Sequence, residues 1–328
     1  MTHNQEHSRS SSLPDPMGGE SRQYQYVFGP LSSSRLGASL GVNTIPLKTC
    51  NLSCVYCQLG RTNRLTMSRR DFYDPSDILA EMSDAVGRFR DSIDVITFAG
   101  EGEPTLCRSL GRLIRHAKLM STVPVAVITN GSLFWRPDVR NDCRAADIVI
   151  PSLDAADVRS FKTLNRPHRR LHHDRMIEGL AEFRRSFHGD LRVEIMLVSG
   201  VNDGEGALLA LREGIRHIRP DLVYLNVPMR PPAEAYVQSP RTDRIRRAWE
   251  LLRDICPVEQ GFGVGPRVWA KLDSHALRRL ARSHPVTTER AQQMGATRID
   301  TQTLIEGGGV SRLSFARQDF LGAKREDD

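Results

Sequence analysis

Six apolar runs of strand length, joined by amphipathic helical patterns, constrain the fold of this 328-residue chain more than any other feature. The runs cover residues 42–47, 94–98, 123–129, 148–153, 191–198 and 222–227. Each is nearly continuous rather than alternating, the pattern of strands covered on both faces in a parallel sheet. Ser76-Asp77 is expected to cap a helix whose Ile78, Leu79, Met82 and Val86 share one face. Further helical patterns cover 106–119, 155–164, 171–187, 205–218 and 242–255. Right-handed crossovers curl such units into an α/β fold, a partial (β/α)6 or complete TIM-like barrel. An open doubly wound sheet is the alternative.

Both architectures bind ligands at the carboxyl ends of their strands, so the segments just past each run carry the functional information. The first run leads into Cys50, Cys54 and Cys57, a C-x3-C-x2-C spacing that spends half of the chain's six cysteines in one loop. Soft ligands so concentrated suit zinc or an iron–sulfur cluster. A structural zinc site closes four ligands, whereas a cubane held by three thiolates leaves one iron open. The nearest further ligand types downstream, Cys107 and His116, are remote in sequence, which favours the open cluster. The second run ends in Gly100-Glu101-Gly102-Glu103-Pro104, the third in Asn130-Gly131-Ser132, the fourth in Asp154 and the fifth in Asn202. Polar and glycine residues collect at one rim.

The start of the chain lacks the basic and apolar regions of a secretory signal. No stretch approaches the roughly 20 apolar residues that span a bilayer. Cys107, Cys143 and Cys256 are scattered and form no second motif, so a disulfide framework does not fit and a cytoplasmic setting does. A net charge of +7 permits a polyanionic partner without requiring one. The expected organisation is an unstructured polar tail over 1–23, the barrel over 24–272 and a C-terminal extension over 273–328.

A cysteine triplet after strand one followed by a Gly-Glu-Pro turn after strand two resembles the radical S-adenosylmethionine (SAM) enzymes. The stretch from Phe28-Gly29-Pro30 through Gly60-Arg61-Thr62 resembles a subgroup of Fe–S oxidoreductases related to the tRNA wyosine-synthesis enzymes. No cysteine precedes Cys50, which separates the chain from wyosine synthases that carry a second cysteine set. The resemblance implies that Cys50, Cys54 and Cys57 ligate a [4Fe–4S] cluster whose fourth iron is chelated by SAM. It implies that Tyr56 lies beside the adenine and that the backbone of Gly100, Glu101, Gly102 and Glu103 meets the methionyl amine. Asn130, Ser132 and Asp154 would face the same pocket, with Asn202 and Asn226 as weaker candidates. Turn stabilisation is an equal reading for Asn130, and capping of the next helix a competing one for Glu101. The resemblance further implies an external electron donor such as flavodoxin or ferredoxin, and radical chemistry on a tRNA or small-molecule substrate. A redox-sensing regulator that carries a cluster and binds nucleic acid is the alternative.

Two other stretches stand out. Residues 165–173 are basic and histidine-rich, and read as a solvated loop or a phosphate contact. In the C-terminal extension, a basic helical pattern over 274–283 precedes a capped helix start at 284–289. Gly307-Gly308-Gly309 then separates 303–305 from 310–315 like the turn of a hairpin, the order of a winged helix.

Overall fold

A computed structural model describes residues 24–261 and, beyond them, 277, 280–282, 285–293, 302, 304–306, 310–315 and 318–323. The expected tail over 1–23 and the boundary near residue 273 lie outside the described residues. Two strands, β1 (Val27–Ser33) and β2 (Gly37–Val42), open the fold as an antiparallel hairpin. A short ribbon follows, in which β3 (Thr49–Cys50) runs parallel to β4 (Arg64–Leu65).

Then come α1 (Pro75–Phe89), β5 (Val95–Phe98), α2 (Leu110–Met120), β6 (Val125–Thr129) and α3 (Pro137–Cys143). They are followed by β7 (Ile148–Pro151), α4 (Val158–Asn165), α5 (His173–Ser186), β8 (Asp190–Met196) and α6 (Glu205–Ile218). The series ends with β9 (Leu222–Asn226), α7 (Thr242–Leu252) and β10 (Val258–Gln260). The main sheet has the order β1-β2-β5-β6-β7-β8-β9-β10, parallel from β2 onward. This is the partial TIM-like barrel that the repeated strand–helix pattern predicts.

The first expected strand is displaced. Of residues 42–47 only Val42 is in a strand; pairing with β5 uses Ser39 to Val42. Pro46 has no N–H to give a ladder, and the Asn43 side chain accepts the Ile45 N–H at 3.3 Å, turning the chain into a buried loop. That loop delivers Cys50 to the rim.

The core lies between the sheet and its helices, around Leu40, Ile96, Phe98, Leu113, Ile114, Val127, Phe134 and Phe183, all fully buried. Helix α1 illustrates the logic. Asp74 caps it by accepting the Ser76 N–H at 2.8 Å, Pro75 starts it, and Ile78, Met82, Ala85 and Val86 form its buried stripe.

A second hydrophobic cluster joins Leu277, Leu280, Ala281, Val286, Ala291, Leu304, Val310 and Leu321. Here β11 (Val286–Thr287) leads into α8 (Thr288–Gln293), and β12 (Val310–Phe315) forms a hairpin with β13 (Gln318–Ala323). The antiparallel order is β11-β13-β12. The hairpin pairs β12 with β13, with Phe315 opposite Gln318, and residues 304–306 are helical. The glycine triplet itself lies outside the described residues. Among the described residues no helix is long and apolar enough to cross a membrane.

Candidate active site

The cysteine loop is held by backbone hydrogen bonds on both sides. On one flank the Thr66 N–H donates to the Cys50 carbonyl at 2.9 Å, and Thr49 and Cys50 pair with Arg64 and Leu65. On the other, the Ser53 and Val55 N–H groups donate to the carbonyls of Asn165 and Leu164 at 3.0 and 2.9 Å. The His168 N–H donates to the Asn51 carbonyl at 2.9 Å. The basic stretch over 165–173 is therefore no free loop: Asn165 and His173 are buried, and only Arg169, Arg170 and His172 are exposed.

The turn after β5 docks against the same loop. The Lys48 N–H donates to the Glu101 carbonyl at 2.7 Å, and the Glu103 N–H to the Thr49 carbonyl at 3.1 Å. Gly102 is required here, because a Cβ would overlap the Thr49 carbonyl. Gly100 adopts φ 145°, a conformation that only glycine holds without strain. The carbonyls of Gly100 and Gly102 have no partner among the described residues, and both residues are half-buried.

The polar candidates sort by what they touch. Glu103 is 2% exposed; its carboxylate accepts from the Thr105 N–H at 3.0 Å, the Thr105 and Thr129 hydroxyls at 2.5 Å each and the Asn130 N–H at 2.7 Å. Burial pushes this carboxyl up despite those donors. Glu103, not Glu101, caps the short helical turn Pro104–Leu106; the Glu101 carboxylate instead accepts from Asn43 Nδ2 at 2.9 Å. Ser132 is fully buried and donates its hydroxyl to Asn130 Oδ1 at 2.6 Å.

Thus oriented, Asn130 Nδ2 donates to Asn51 Oδ1 at 2.7 Å and lies 3.4 Å from Cys50 Sγ. Asp154 accepts from the Tyr56 hydroxyl, from Asn165 Nδ2 at 2.8 Å and from the Met196 N–H at 2.9 Å. Burial pushes the Asp154 carboxyl up to about 6. Asn165 Nδ2 also lies 3.4 Å from Cys54 Sγ. Asn202 is wholly structural, tying the Val198 N–H to the carbonyls of Asp154 and Met196.

The donor set suits a cluster. Each of Cys50, Cys54 and Cys57 is half-buried, and the three are close enough for the charges of neighbouring thiolates to raise the pKa values of Cys50 and Cys54. Burial is the larger cause, and it pushes the Cys50 thiol up to about 12, so ligation must drive deprotonation. Amide donors from Asn130, Asn165 and the Leu52 N–H, the last at 3.4 Å from Cys50 Sγ, surround the sulfurs. Asn51 is fully buried and its Nδ2 has no partner among the described residues, a donor left over beside Cys50. Hydrogen bonds to sulfur are a standard means by which proteins set cluster properties.

Sequence reasoning missed Asn51, Asn165, Thr105 and Thr129. It also missed a polar network on the concave face. Along β8, Leu191, Val193 and Ile195 are buried toward the helices, so Arg192, Glu194 and Met196 line the opposite face. There Arg35 and Asn226 both bond Glu194 Oε1, and Arg192 donates to the Tyr224 hydroxyl at 2.8 Å.

Comparison with known proteins identifies the class. The radical SAM superfamily model matches residues 44–211, and the chain belongs to that superfamily. It is 39% identical over 230 residues to a UPF0026 protein of Methanocaldococcus jannaschii, covering 70% of this chain and 71% of that one, and it groups with the UPF0026 proteins. It is also 38% identical over 233 residues to a GTPase Obg of Brachyspira hyodysenteriae, covering 71% of this chain but 34% of that protein. Among solved structures, SuiB of Streptococcus suis bound to SAM gives a TM-score of 0.51 at 13% identity, over 67% of this chain and 50% of that chain. That likeness is one of fold alone. The chain is a SAM-dependent enzyme of a superfamily that uses a [4Fe–4S] cluster and SAM.

Proposed function

We propose that Cys50, Cys54 and Cys57 hold the cluster and that the facing rim holds SAM, for radical chemistry on a polar substrate in the reducing cytoplasm. The observation that carries the reading is the docking of Gly100–Glu103 onto Lys48 and Thr49 beside three thiols supplied with amide donors. When bound, the pair supplies one-electron cleavage of SAM and a 5′-deoxyadenosyl radical able to abstract hydrogen from an unactivated carbon. The partnerless carbonyls of Gly100 and Gly102 suit an ammonium group. Tyr56, within the cysteine loop, has its hydroxyl held by Asp154.

Glu103 and Ser132 act as positioning residues: both are buried, and both fix Asn130. Asp154 fixes Tyr56 and Asn165 in the same way. The Arg35–Glu194–Asn226 network suits the polar part of a substrate, either a small molecule or a nucleoside within an RNA. A reductant such as flavodoxin or ferredoxin completes the requirement.

The test is anaerobic iron–sulfide reconstitution followed by SAM and dithionite. The expected result is brown, oxygen-sensitive absorption and 5′-deoxyadenosine, both absent from a Cys50→Ala/Cys54→Ala/Cys57→Ala variant. A colourless protein retaining tightly bound zinc overturns the reading.

A further inference from the structure

The chain carries nearly all of its positive charge on arginine; its lysines are Lys48, Lys118, Lys162, Lys271 and Lys324. Of those described, Lys118 and Lys162 are exposed, and Lys118 pairs with Asp147. Lys48 is 8% exposed and stands two residues before Cys50. Its backbone is as unusual as its burial. The Thr49 N–H donates to the Pro46 carbonyl at 3.1 Å, closing a turn in which Lys48 takes φ 57°. Glycine or asparagine is the ordinary occupant of such a position, so a lysine there holds a strained backbone.

The main chain fixes this residue from both sides. Its N–H donates to the Glu101 carbonyl at 2.7 Å, and its carbonyl accepts the N–H groups of Asn63 and Arg64 at 3.2 and 3.1 Å. The side chain reaches the far end of the cysteine loop, where Nζ and Cε lie 3.4 and 3.6 Å from the position of a Cβ on Gly60. Gly60 is buried, and its N–H returns to the Cys57 carbonyl at 3.0 Å. Lys48 thus links the approach to the first cysteine with the turn just past the last. Among the described residues no hydrogen bond or ion pair reaches its Nζ. Residues 48–70 contain no aspartate or glutamate. The carboxylates that meet the loop and its facing turn are engaged elsewhere: Glu101 by Asn43, Glu103 by Thr105, Thr129 and Asn130, and Glu234 by Arg61 and Arg166.

We propose that Lys48 is the counter-cation of the cluster, a fixed positive charge that favours its reduced state. The inference rests on the proposed function above. An ammonium on so buried a residue is costly unless an anion arrives beside it. In this stretch the groups that turn anionic when iron binds are the thiols of Cys50, Cys54 and Cys57. The Lys48 Cα lies at most about 7 Å from that of Cys50, the reach of two residues of chain. On reduction the reductant gives up one electron and the cluster takes it, with no bond made or broken and no proton moved at Lys48. That electron adds to charge that is already negative. A cation about 10 Å away, at an effective dielectric constant of about 20, favours the reduced form by roughly tenfold.

Two other uses of the side chain are separable from this one. Covering Gly60 needs only the apolar stem, which methionine supplies equally well. Holding the carboxylate of SAM is the other, because the Lys48 N–H donates to the turn proposed to meet the methionyl amine. Neither use ties the reduction potential to the charge of residue 48, and the second is read in SAM affinity.

The test compares wild type with Lys48→Met, which keeps the stem and removes the charge, and with Lys48→Arg, which keeps the charge. After anaerobic iron–sulfide reconstitution, iron and sulfide per chain are counted and the cluster is titrated against redox mediators without SAM. At a fixed solution potential, the ratio of reduced to oxidised cluster in Lys48→Met is expected to fall roughly tenfold, about 59 mV for a one-electron couple. Lys48→Arg should stay close to wild type. Equal potentials in wild type and Lys48→Met overturn the proposal, as does a Lys48→Arg potential equal to a shifted Lys48→Met one. Unchanged potentials with weaker SAM binding in equilibrium dialysis also overturn it, and make the lysine a carboxylate ligand. Should Lys48→Met fail to fold or to hold iron, Lys48→Arg decides: full loading there supports the counter-cation, and loss in both overturns it. A wild type that builds no cluster removes the proposed function, whereas a loaded wild type matched by Lys48→Met removes this inference alone.

Discussion

The carboxylate of Glu103 accepts the backbone N–H of Asn130 at 2.7 Å. This bond joins the turn after β5 to the end of β6, so the turn proposed to meet SAM and the amide beside Cys50 are held as one unit. Replacing Glu103 with alanine strands the Asn130 N–H and the Thr105 and Thr129 groups in the core. Unfolding free energy should drop by about 3–5 kcal/mol, measured by urea denaturation. Glu103→Gln keeps one acceptor oxygen and should lose clearly less. Equal losses in the two variants would mean that packing, not hydrogen bonding, is what Glu103 provides.

Gly102→Ala should act on the cluster through the backbone. The added Cβ meets the Thr49 carbonyl, one residue before Cys50. The overlap costs about 2 kcal/mol and pushes the turn off the loop. Iron bound per chain after reconstitution should fall well below wild type, while far-ultraviolet circular dichroism stays the same. Full iron loading would show that the loop tolerates separation from the turn.

Asn165 offers a spectroscopic prediction. Its Nδ2 lies 3.4 Å from Cys54 Sγ, and donors to cluster sulfur favour the reduced state. In Asn165→Leu the cluster midpoint potential should move to more negative values, as read by anaerobic redox titration. A potential that does not move removes Asn165 from the cluster's surroundings.

The alkaline limit of stability should depend on Tyr24. Burial first, and then Asp84 at 2.5 Å, raise the Tyr24 hydroxyl to about 12 from its usual 10. The unfolded chain therefore ionises before the folded one. The contribution is complete below pH 10 and is lost as pH rises from about 10 through about 12. Tyr24→Phe should flatten that part of a stability–pH curve. An unchanged slope between those limits would assign the alkaline loss to another group.

Much of the architecture is legible in the sequence because parallel strands buried on both faces leave long apolar runs. Residues 222–227 and 148–153 differ from β9 and β7 only at their ends. The β1–β2 hairpin is not legible, since Phe28-Gly29-Pro30 and Arg35-Leu36-Gly37 read as punctuation rather than strand. Helix α3 and the three-residue β10 are too short to show a period.

At the site, the cysteines and the Gly-Glu-Pro turn stand out because their chemistry demands fixed spacing. Asn51, Asn165 and Thr129 do not, for their partners lie far along the chain. A one-sequence pattern holds no trace of a contact such as Asn165 with Cys54. Only the Asn-Arg-Pro ending of α4 hints that Asn165 closes a helix.

The clasp on the cysteine loop has a bearing on the enzyme's working life. The loop is secured by main-chain bonds from residues 64–66 on one side and 164–168 on the other, none of which passes through a thiol. Loss of a cluster held by the three thiols would break none of these bonds, so the loop is expected to keep its shape and take up iron and sulfide again.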